Sequence, residues 1–258
     1  MADGQRWAVI LGASSGFGAE CAIALARAGF DICGVHLDRK AGLAQVEEIK
    51  AAITAAGRRA LYFNVNAADA ERRKEVADAL AAEQAQVHVL LHSLAFGALK
   101  PFVGEDRINE QQMDMTLAVM AHSLVYWTQD LVARGLLLRG GRIFSMTSSG
   151  STRAIASYGA VSAAKSALES HTRQLAFELA PLGIAVNALR AGVTDTPALR
   201  KIPGNDKLLE GAAQKNPARR LTTPADVAGA LVALCQSGAG WVTGNVINVD
   251  GGEEISAG

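Results

Sequence analysis

Residues Arg6 to Gly18 read Arg-Trp-Ala-Val-Ile-Leu-Gly-Ala-Ser-Ser-Gly-Phe-Gly. The apolar run Trp7–Leu11 predicts a buried strand, and the glycines after it predict a tight turn into a helix. Glycine lets the backbone approach a phosphate, and free N–H groups at a helix start can hold it. A glycine turn alone is a weak signal, but the flanking strand and helix supply the context of a dinucleotide site. The candidate cofactor residues here are Gly12, Ser14, Ser15, Gly16, Phe17 and Gly18.

Short apolar runs alternate with longer helical patterns along the whole chain. The predicted strands are Trp7–Leu11, Asp31–His36, Ala60–Asn64, Val87–His92, Arg142–Met146, Ile184–Leu189 and Asn245–Val249. The predicted helices are Gly18–Ala28, Ala41–Ala56, Asp69–Ala82, Glu110–Arg134, Val161–Ala180 and Pro224–Ser237. This alternation predicts an α/β fold: a single doubly wound Rossmann domain over residues 1–258, with a seven-stranded parallel sheet and helices on both faces. The irregular segment Thr194–Thr223 is predicted to be a substrate-binding lid.

Composition excludes several classes of function. The 258 residues are half hydrophobic, and 25 basic residues balance 25 acidic ones, so no nucleic-acid or anionic-membrane partner is indicated. Cys21, Cys33 and Cys235 lie far apart without metal-ligand spacing, which predicts buried thiols and no metal site. No signal peptide and no membrane-spanning apolar run is evident, so we expect a cytoplasmic protein.

The glycine turn resembles that of the short-chain dehydrogenase/reductase superfamily. Its Gly-x-x-x-Gly-x-Gly spacing is the pattern of that family, although Leu11 stands where threonine is frequent. The resemblance implies a nicotinamide cofactor and an adenine-contacting pair at Asn64 and Val65. Counting from Gly12 places the residue beside the adenosine ribose at His36.

Cofactor choice depends on the residues that follow the second strand. Arg39 and Lys40 could receive a 2′-phosphate, whereas Asp38 would oppose one. We therefore favour NADPH, with NADH as the alternative, and take His36 and Arg39 as candidate contacts.

Three candidate catalytic residues, Ser148, Tyr158 and Lys165, follow the fifth predicted strand. Open parallel sheets bind ligands at the carboxyl ends of their strands, so chemistry is expected there. A tyrosine can donate a proton to a developing oxyanion. A nearby lysine can lower the pKa of the phenol and hold the ribose of the cofactor, which makes Lys165 a cofactor contact as well.

The six residues between Tyr158 and Lys165 indicate the reaction. Ordinary members of the superfamily place the tyrosine four positions before the lysine, where this chain has Val161, and Met120 aligns with their helix-borne asparagine. In conjugate reduction, hydride adds to the β-carbon while charge appears on a thioester oxygen further along the substrate. Moving the tyrosine back by one helical turn, roughly 5 Å of axial rise, would place its hydroxyl near that oxygen.

This spacing is similar to the signature of the enoyl-acyl-carrier-protein reductases of the superfamily. The segment His92–Gly97 resembles the FabI type, and the C-terminal third resembles the FabL branch most closely. The resemblance implies reduction of the trans-2 double bond of an enoyl thioester by NAD(P)H in fatty-acid synthesis. Further implied cofactor contacts are Ser93, Ala95, Gly192, Thr194 and Thr196. His92 is expected to pack at its strand end rather than act as a base.

The same resemblance implies partners. Leu199–Leu209 should cover an acyl chain carried by acyl carrier protein or coenzyme A. A homotetramer is implied, formed through the fourth predicted helix and the helix that carries Lys165. Basic side chains could form a rim that docks an acidic carrier protein, although a solvated loop is the better explanation of any one of them: Arg200, Lys201, Lys207, Lys215, Arg219 and Arg220.

Two other functions stay open at the level of the sequence. One is an NADP(H)-dependent carbonyl or hydroxysteroid-type dehydrogenase that uses Tyr158 or Ser148 on a ketone, which Val161 argues against. The other is a cofactor-binding regulator without catalysis, which the joint presence of Ser148, Tyr158 and Lys165 argues against. Ser148 stands where the FabI type has a second tyrosine, and it either donates a second hydrogen bond or only shapes the turn.

Overall fold

The computed structural model describes residues 6–256, and its strands form one parallel sheet. Within those residues the seven strands lie in the order β3-β2-β1-β4-β5-β6-β7. They are β1 (Arg6–Leu11), β2 (Asp31–His36), β3 (Ala60–Asn64), β4 (Gln86–His92), β5 (Leu137–Thr147), β6 (Ala185–Ala191) and β7 (Val246–Val249). The predicted fold class is confirmed, and each predicted strand is present: β2 and β3 have the predicted bounds, and the other strands differ at one or both ends.

Helices connect the strands. They are α1 (Gly16–Arg27), α2 (Leu43–Ala55), α3 (Ala70–Ala82), α4 (Glu110–Leu117), α5 (Ser123–Ala133), α6 (Gly159–Leu179), α7 (Asn205–Lys215) and α8 (Pro224–Leu234). None of the helices in the described part of the chain is long and apolar enough to cross a membrane.

Two apolar layers hold the helices on the sheet. Side chains alternate along a strand, so Trp7 and Val9 enter one layer while Ala8 and Ile10 enter the other. The first layer packs the sheet against α3, α5 and α6, and the second packs it against α1, α2 and α8. Helices therefore cover both faces, which is why the central strands are buried almost continuously.

The single long helix predicted over Glu110–Arg134 is divided in the structure. A π-helical turn, Ala118–His122, separates α4 from α5. Such turns occur frequently at functional sites, and this one brings Val119 and Met120 to the cavity described below.

The lid segment is more regular than its composition predicts. The structure forms α7 within it, where the sequence indicated an irregular stretch. Gly204 starts the helix in the left-handed region (φ 77°), and Pro217 follows its end, so these residues bound a helix rather than prevent one. Asn216 fixes the exit by donating from Nδ2 to the carbonyl of Asp250 at 2.8 Å.

Candidate active site

A cavity of about 490 Å³ opens at the carboxyl ends of the central strands, beside the first turn of α1. The structure brings most of the predicted site residues together on its wall. They are Gly12, Ser14, Ser15, Gly16, Phe17, His36, Val65, Ser93, Ala95, Ser148, Tyr158, Lys165, Thr194 and Thr196. Strand ends, the glycine turn and the lid thus meet at one site.

Two of the predicted cofactor glycines, Gly18 and Gly192, are closely packed against neighbouring loops. A Cβ atom on Gly18 would lie 2.0 Å from the carbonyl oxygen of Gly12, and one on Gly192 would lie 2.3 Å from Thr222 Oγ1. Neither glycine is among the residues of the cavity wall. Both glycines permit the close approach of neighbouring loops, and their role as cofactor contacts stays a prediction.

The glycine turn fits a pyrophosphate. Gly12 has φ +88°, and a Cβ there would lie 2.4 Å from the carbonyl oxygen of Ser93, so no other residue fits without a shift. Ser15, the N-cap residue of α1, forms no side-chain cap. The first N–H groups of α1 are therefore left for a ligand, and the helix dipole favours an anion there.

The end of β2 presents a carboxylate to the cavity. Asp38 lies on the cavity wall, and its Oδ2 is 2.9 Å from His36 Nδ1. Asn64 does not line the cavity but pairs with the backbone of Asp38 through two hydrogen bonds of 2.9 Å. Arg39 is exposed and lies outside the wall. The charge nearest the predicted ribose position is therefore negative.

Lys165 is buried at the centre of the site. Its Nζ donates to the carbonyl oxygen of Met146 at 2.6 Å. Burial lowers the pKa of Lys165 to about 8, and the nearby carboxylate of Glu169 partly opposes this shift.

Tyr158 is the N-cap residue of α6, and its ring packs on Gly150, where a Cβ would come within 2.6 Å of the ring. Burial raises the pKa of Tyr158, so the phenol is neutral and can donate. Ser148 Oγ lies near enough to offset the shift in part. However, the two groups do not form a well-aligned hydrogen bond, and Ser148 Oγ is buried without a partner in residues 6–256.

Val161 fills the position one helical turn closer to Lys165. A Cβ on Gly97 would lie 2.8 Å from Val161 Cγ2, 2.8 Å from Thr116 Cγ2 and 2.9 Å from Met120 Sδ. These atoms pack into an apolar cluster on the cavity wall. The site therefore offers one phenol, Tyr158, and no proton donor at position 161.

His92 is fully buried at the end of β4. Ser123 Oγ donates to the carbonyl of Val119 at 2.7 Å, so it accepts from His92 Nε2 at 2.8 Å. Burial, followed by the charge of Lys165, lowers the pKa of His92 to about 3. The imidazole is neutral and does not line the cavity, in agreement with a packing role.

The sequence reasoning missed much of the apolar wall. The additional lining side chains include Leu94, Phe96, Leu99, Met115, Val119 and Met146, whereas Leu199 and Ile202 lie in the segment expected to cover the acyl chain. Met115 and Met120 lie on the predicted helix Glu110–Arg134, where periodicity alone cannot distinguish a core face from a pocket wall.

Two of the basic residues near the lid already have partners. Arg200 donates to both oxygens of Asp195, at 2.7 and 2.9 Å, and Arg220 donates to both oxygens of Asp226, at 2.6 and 3.0 Å. Lys201 lies on the cavity wall.

The sheet order and this arrangement of residues define a doubly wound, dinucleotide-binding oxidoreductase. A model of the family described as Enoyl-(Acyl carrier protein) reductase matches residues 12–254. The chain therefore belongs to this enoyl reductase family of the short-chain dehydrogenase/reductases.

The matched relatives include both a CoA reductase and a hydroxysteroid dehydrogenase. The 1-cyclohexenylcarbonyl-CoA reductase of Streptomyces collinus is 31% identical, over 99% of this chain and 89% of its own length. The 7alpha-hydroxysteroid dehydrogenase of Escherichia coli K12 is 26% identical, over 96% of this chain and 93% of its own. The structure of the enoyl-[acyl-carrier-protein] reductase (NADH) of Aquifex aeolicus VF5 superposes with a TM-score of 0.87 at 25% identity, covering 99% of this chain and 98% of that one.

Proposed function

We propose that this protein reduces the trans-2 double bond of an enoyl thioester with hydride from a reduced nicotinamide cofactor, in fatty-acid synthesis. The observation that carries the proposal is the pairing of Tyr158 with Lys165 in one cavity while Val161 fills the nearer position. A ketone reductase needs its proton donor close to the carbon that receives hydride. An enoyl reductase needs it further away, at the thioester oxygen.

Each group of residues has its own role in the proposed reaction. A bound reduced nicotinamide would supply the hydride. Tyr158 donates a hydrogen bond to the thioester oxygen and stabilises the enolate charge that develops there. Lys165 holds the cofactor ribose as a cation. The apolar wall, including Leu94, Phe96 and Met115, excludes water and receives the acyl chain.

Parallel assays test the reaction. Crotonyl thioesters of coenzyme A and of acyl carrier protein are compared with β-ketoacyl thioesters and a 7-keto steroid, each with NADH and NADPH. We expect turnover of crotonyl thioester and at least about 100-fold less of either ketone. Equal or faster ketone turnover would instead assign a carbonyl reductase. The matching family is named for acyl carrier protein and one relative for coenzyme A. The two crotonyl thioesters are therefore assayed separately, to show which carrier the protein accepts.

For the cofactor we propose NADH rather than the NADPH that Arg39 and Lys40 suggested. Support comes from Asp38, whose carboxylate lies on the cavity wall while Arg39 does not. A carboxylate accepts hydrogen bonds from a ribose diol and repels a 2′-phosphate.

Replacing Asp38 tests this preference. Asp38→Asn should raise kcat/KM for NADPH relative to NADH at least about tenfold, because the like-charge repulsion is removed. Asp114→Asn on the exposed face of α4 is the matched control and should leave the ratio unchanged. A wild-type enzyme that prefers NADPH would overturn the proposal.

We also propose that the protein acts as a homotetramer on its carrier-linked substrate. Large apolar side chains that remain exposed support further assembly: Trp241 is 97% exposed and Phe177 is 78% exposed. Sedimentation equilibrium of the purified protein tests the stoichiometry.

A further inference from the structure

A buried ionic network lies behind the site. Glu169 follows Lys165 by one turn on α6, and both residues are buried. Glu169 Oε1 accepts from Thr147 Oγ1 at 2.7 Å and from Nη2 of Arg190 at 3.1 Å. Thr147 ends β5 and Arg190 lies on β6, so two strands hold this carboxylate in place.

The network also reaches the serine turn. The same Nη2 atom of Arg190 lies 3.2 Å from Ser151 Oγ, and Ser166 Oγ donates to the carbonyl of Ser151 at 2.8 Å. Ser151 belongs to the short turn that follows Ser148. Arg190 therefore connects the carboxylate of Glu169, on the helix that carries Lys165, to the turn that follows Ser148.

Few charged groups act on Lys165. Tyr158 on its own helix is neutral, and His92 of β4 is neutral because burial lowers its pKa to about 3. Within residues 6–256, Glu169 is the carboxylate whose charge acts on the Lys165 ammonium, and Arg190 is the cation that faces Glu169 from β6.

We propose that Glu169 is a positioning residue that keeps Lys165 cationic in its buried site, and that Thr147 and Arg190 fix the carboxylate where it does so. The inference rests on the proposed function in one respect, namely that Lys165 holds the cofactor. Burial opposes the ammonium, whereas a carboxylate one turn away favours it. Removing that carboxylate leaves the buried Lys165 ammonium without the negative charge that favours it, and Arg190 without its ion-pair partner.

The test measures the protonation of Lys165 directly. Protein carrying ¹³C-labelled lysine is titrated by NMR without cofactor, and the Lys165 resonance is assigned by its absence in Lys165→Met. We expect Glu169→Gln, which keeps the shape and the hydrogen-bond acceptor, to lower the midpoint of Lys165 by about one pH unit or more. NADH binding, followed by cofactor fluorescence, should weaken severalfold at a pH between the two midpoints.

Controls keep the test decisive. Glu178→Gln makes the same change on an exposed part of α6 and should leave the midpoint of Lys165 unaltered. If Glu169→Gln does not fold, the double variant Glu169→Gln/Arg190→Gln removes both charges and should still lower the midpoint. An unchanged Lys165 midpoint in folded protein would overturn the proposal. Because the titration uses no substrate, a failure of enoyl reduction would leave this result interpretable.

Discussion

At the scale of single residues, the neighbours of Tyr158 decide its state. Gly150 lets the ring pack against the serine turn, and burial keeps the phenol protonated. The group can therefore donate a hydrogen bond at neutral pH without first acquiring a proton. Ser148 lies on the cavity wall with its Oγ buried and without a partner in the described residues.

Replacing Tyr158 with Phe should lower kcat for enoyl reduction by roughly 100-fold or more, because one donor to the developing enolate is lost. The dissociation constant of the cofactor, measured by fluorescence, should change less than about threefold. Tyr126→Phe removes a hydroxyl from a partly exposed ring on α5 and serves as the control. Unchanged turnover in Tyr158→Phe would remove this residue from the mechanism.

His92 should make stability depend on pH. Its pKa is lowered from 6.5 to about 3 in the folded protein. Between these two pH values the unfolded chain therefore binds a proton at His92 that the folded chain does not bind. Stability therefore falls as the pH drops from 6.5 toward 3, by on the order of a few kcal/mol over that range.

Urea unfolding at several pH values checks this. The wild type should lose stability more steeply with falling pH than His92→Gln, whatever the absolute stability of the variant. His88→Gln, on the same strand but partly exposed, should retain the slope of the wild type. Parallel slopes for the wild type and His92→Gln would contradict the expectation.

At the scale of elements, the start of α6 is strained. Ser157, directly before Tyr158, has φ +59°, in the left-handed region that costs non-glycine residues about 1–2 kcal/mol. The strain lies beside the residue on which the chemistry depends, so it fixes the direction from which the chain enters the helix.

Substitutions at Ser157 test that strain. Ser157→Val should lower the free energy of unfolding by about 1–2 kcal/mol, because a β-branched residue tolerates a positive φ poorly. Ser157→Gly should remain within about 0.5 kcal/mol of the wild type, since relief of strain offsets the greater entropy of the unfolded chain. Ala156→Val, at an exposed neighbouring position outside the helix that has no positive φ, controls for the β-branched side chain, and chemical denaturation provides the measurement. An equal loss at both sites would argue against strain at Ser157.

The elements also show what the sequence could and could not predict. Strands such as Asp31–His36 were predicted to the residue, because an apolar run between turn signals has few alternatives. The helix α7 was missed because Pro203 and Gly204 indicate a loop while in fact bounding a helix. The π-helical turn was missed because one extra residue per turn hardly changes a periodic pattern.

The parts of the candidate site that backbone geometry determines were predictable from the sequence. The orientation of neighbouring side chains in a loop was not. Gly12 and the strand ends follow from topology, and they line the cavity as expected. Arg39 directly follows Asp38 in the sequence, and only the structure shows which of them faces the cavity. Sequence spacing cannot decide this, because a loop after a strand has no fixed side-chain alternation.

At the scale of the whole molecule, assembly should depend on the exposed tryptophan near β7. Trp241→Ser should shift the sedimentation average toward smaller species, because a large apolar side chain is lost from a contact between copies. Gln45→Ser, which changes an exposed polar side chain on α2, is the control. A wild type that sediments as a monomer would contradict the proposed tetramer.

The strand order has a consequence for how the chain is made. β1 pairs on one side with β2, where Leu11 meets Val35, and on the other with β4, where Leu11 meets His92. During synthesis the first pairing becomes possible long before the second, so a newly made chain carries a central strand with one open edge. Such edges invite association with other chains, and distant pairings form slowly. The ribosome must therefore release more than a third of this protein before both edges of β1 are paired.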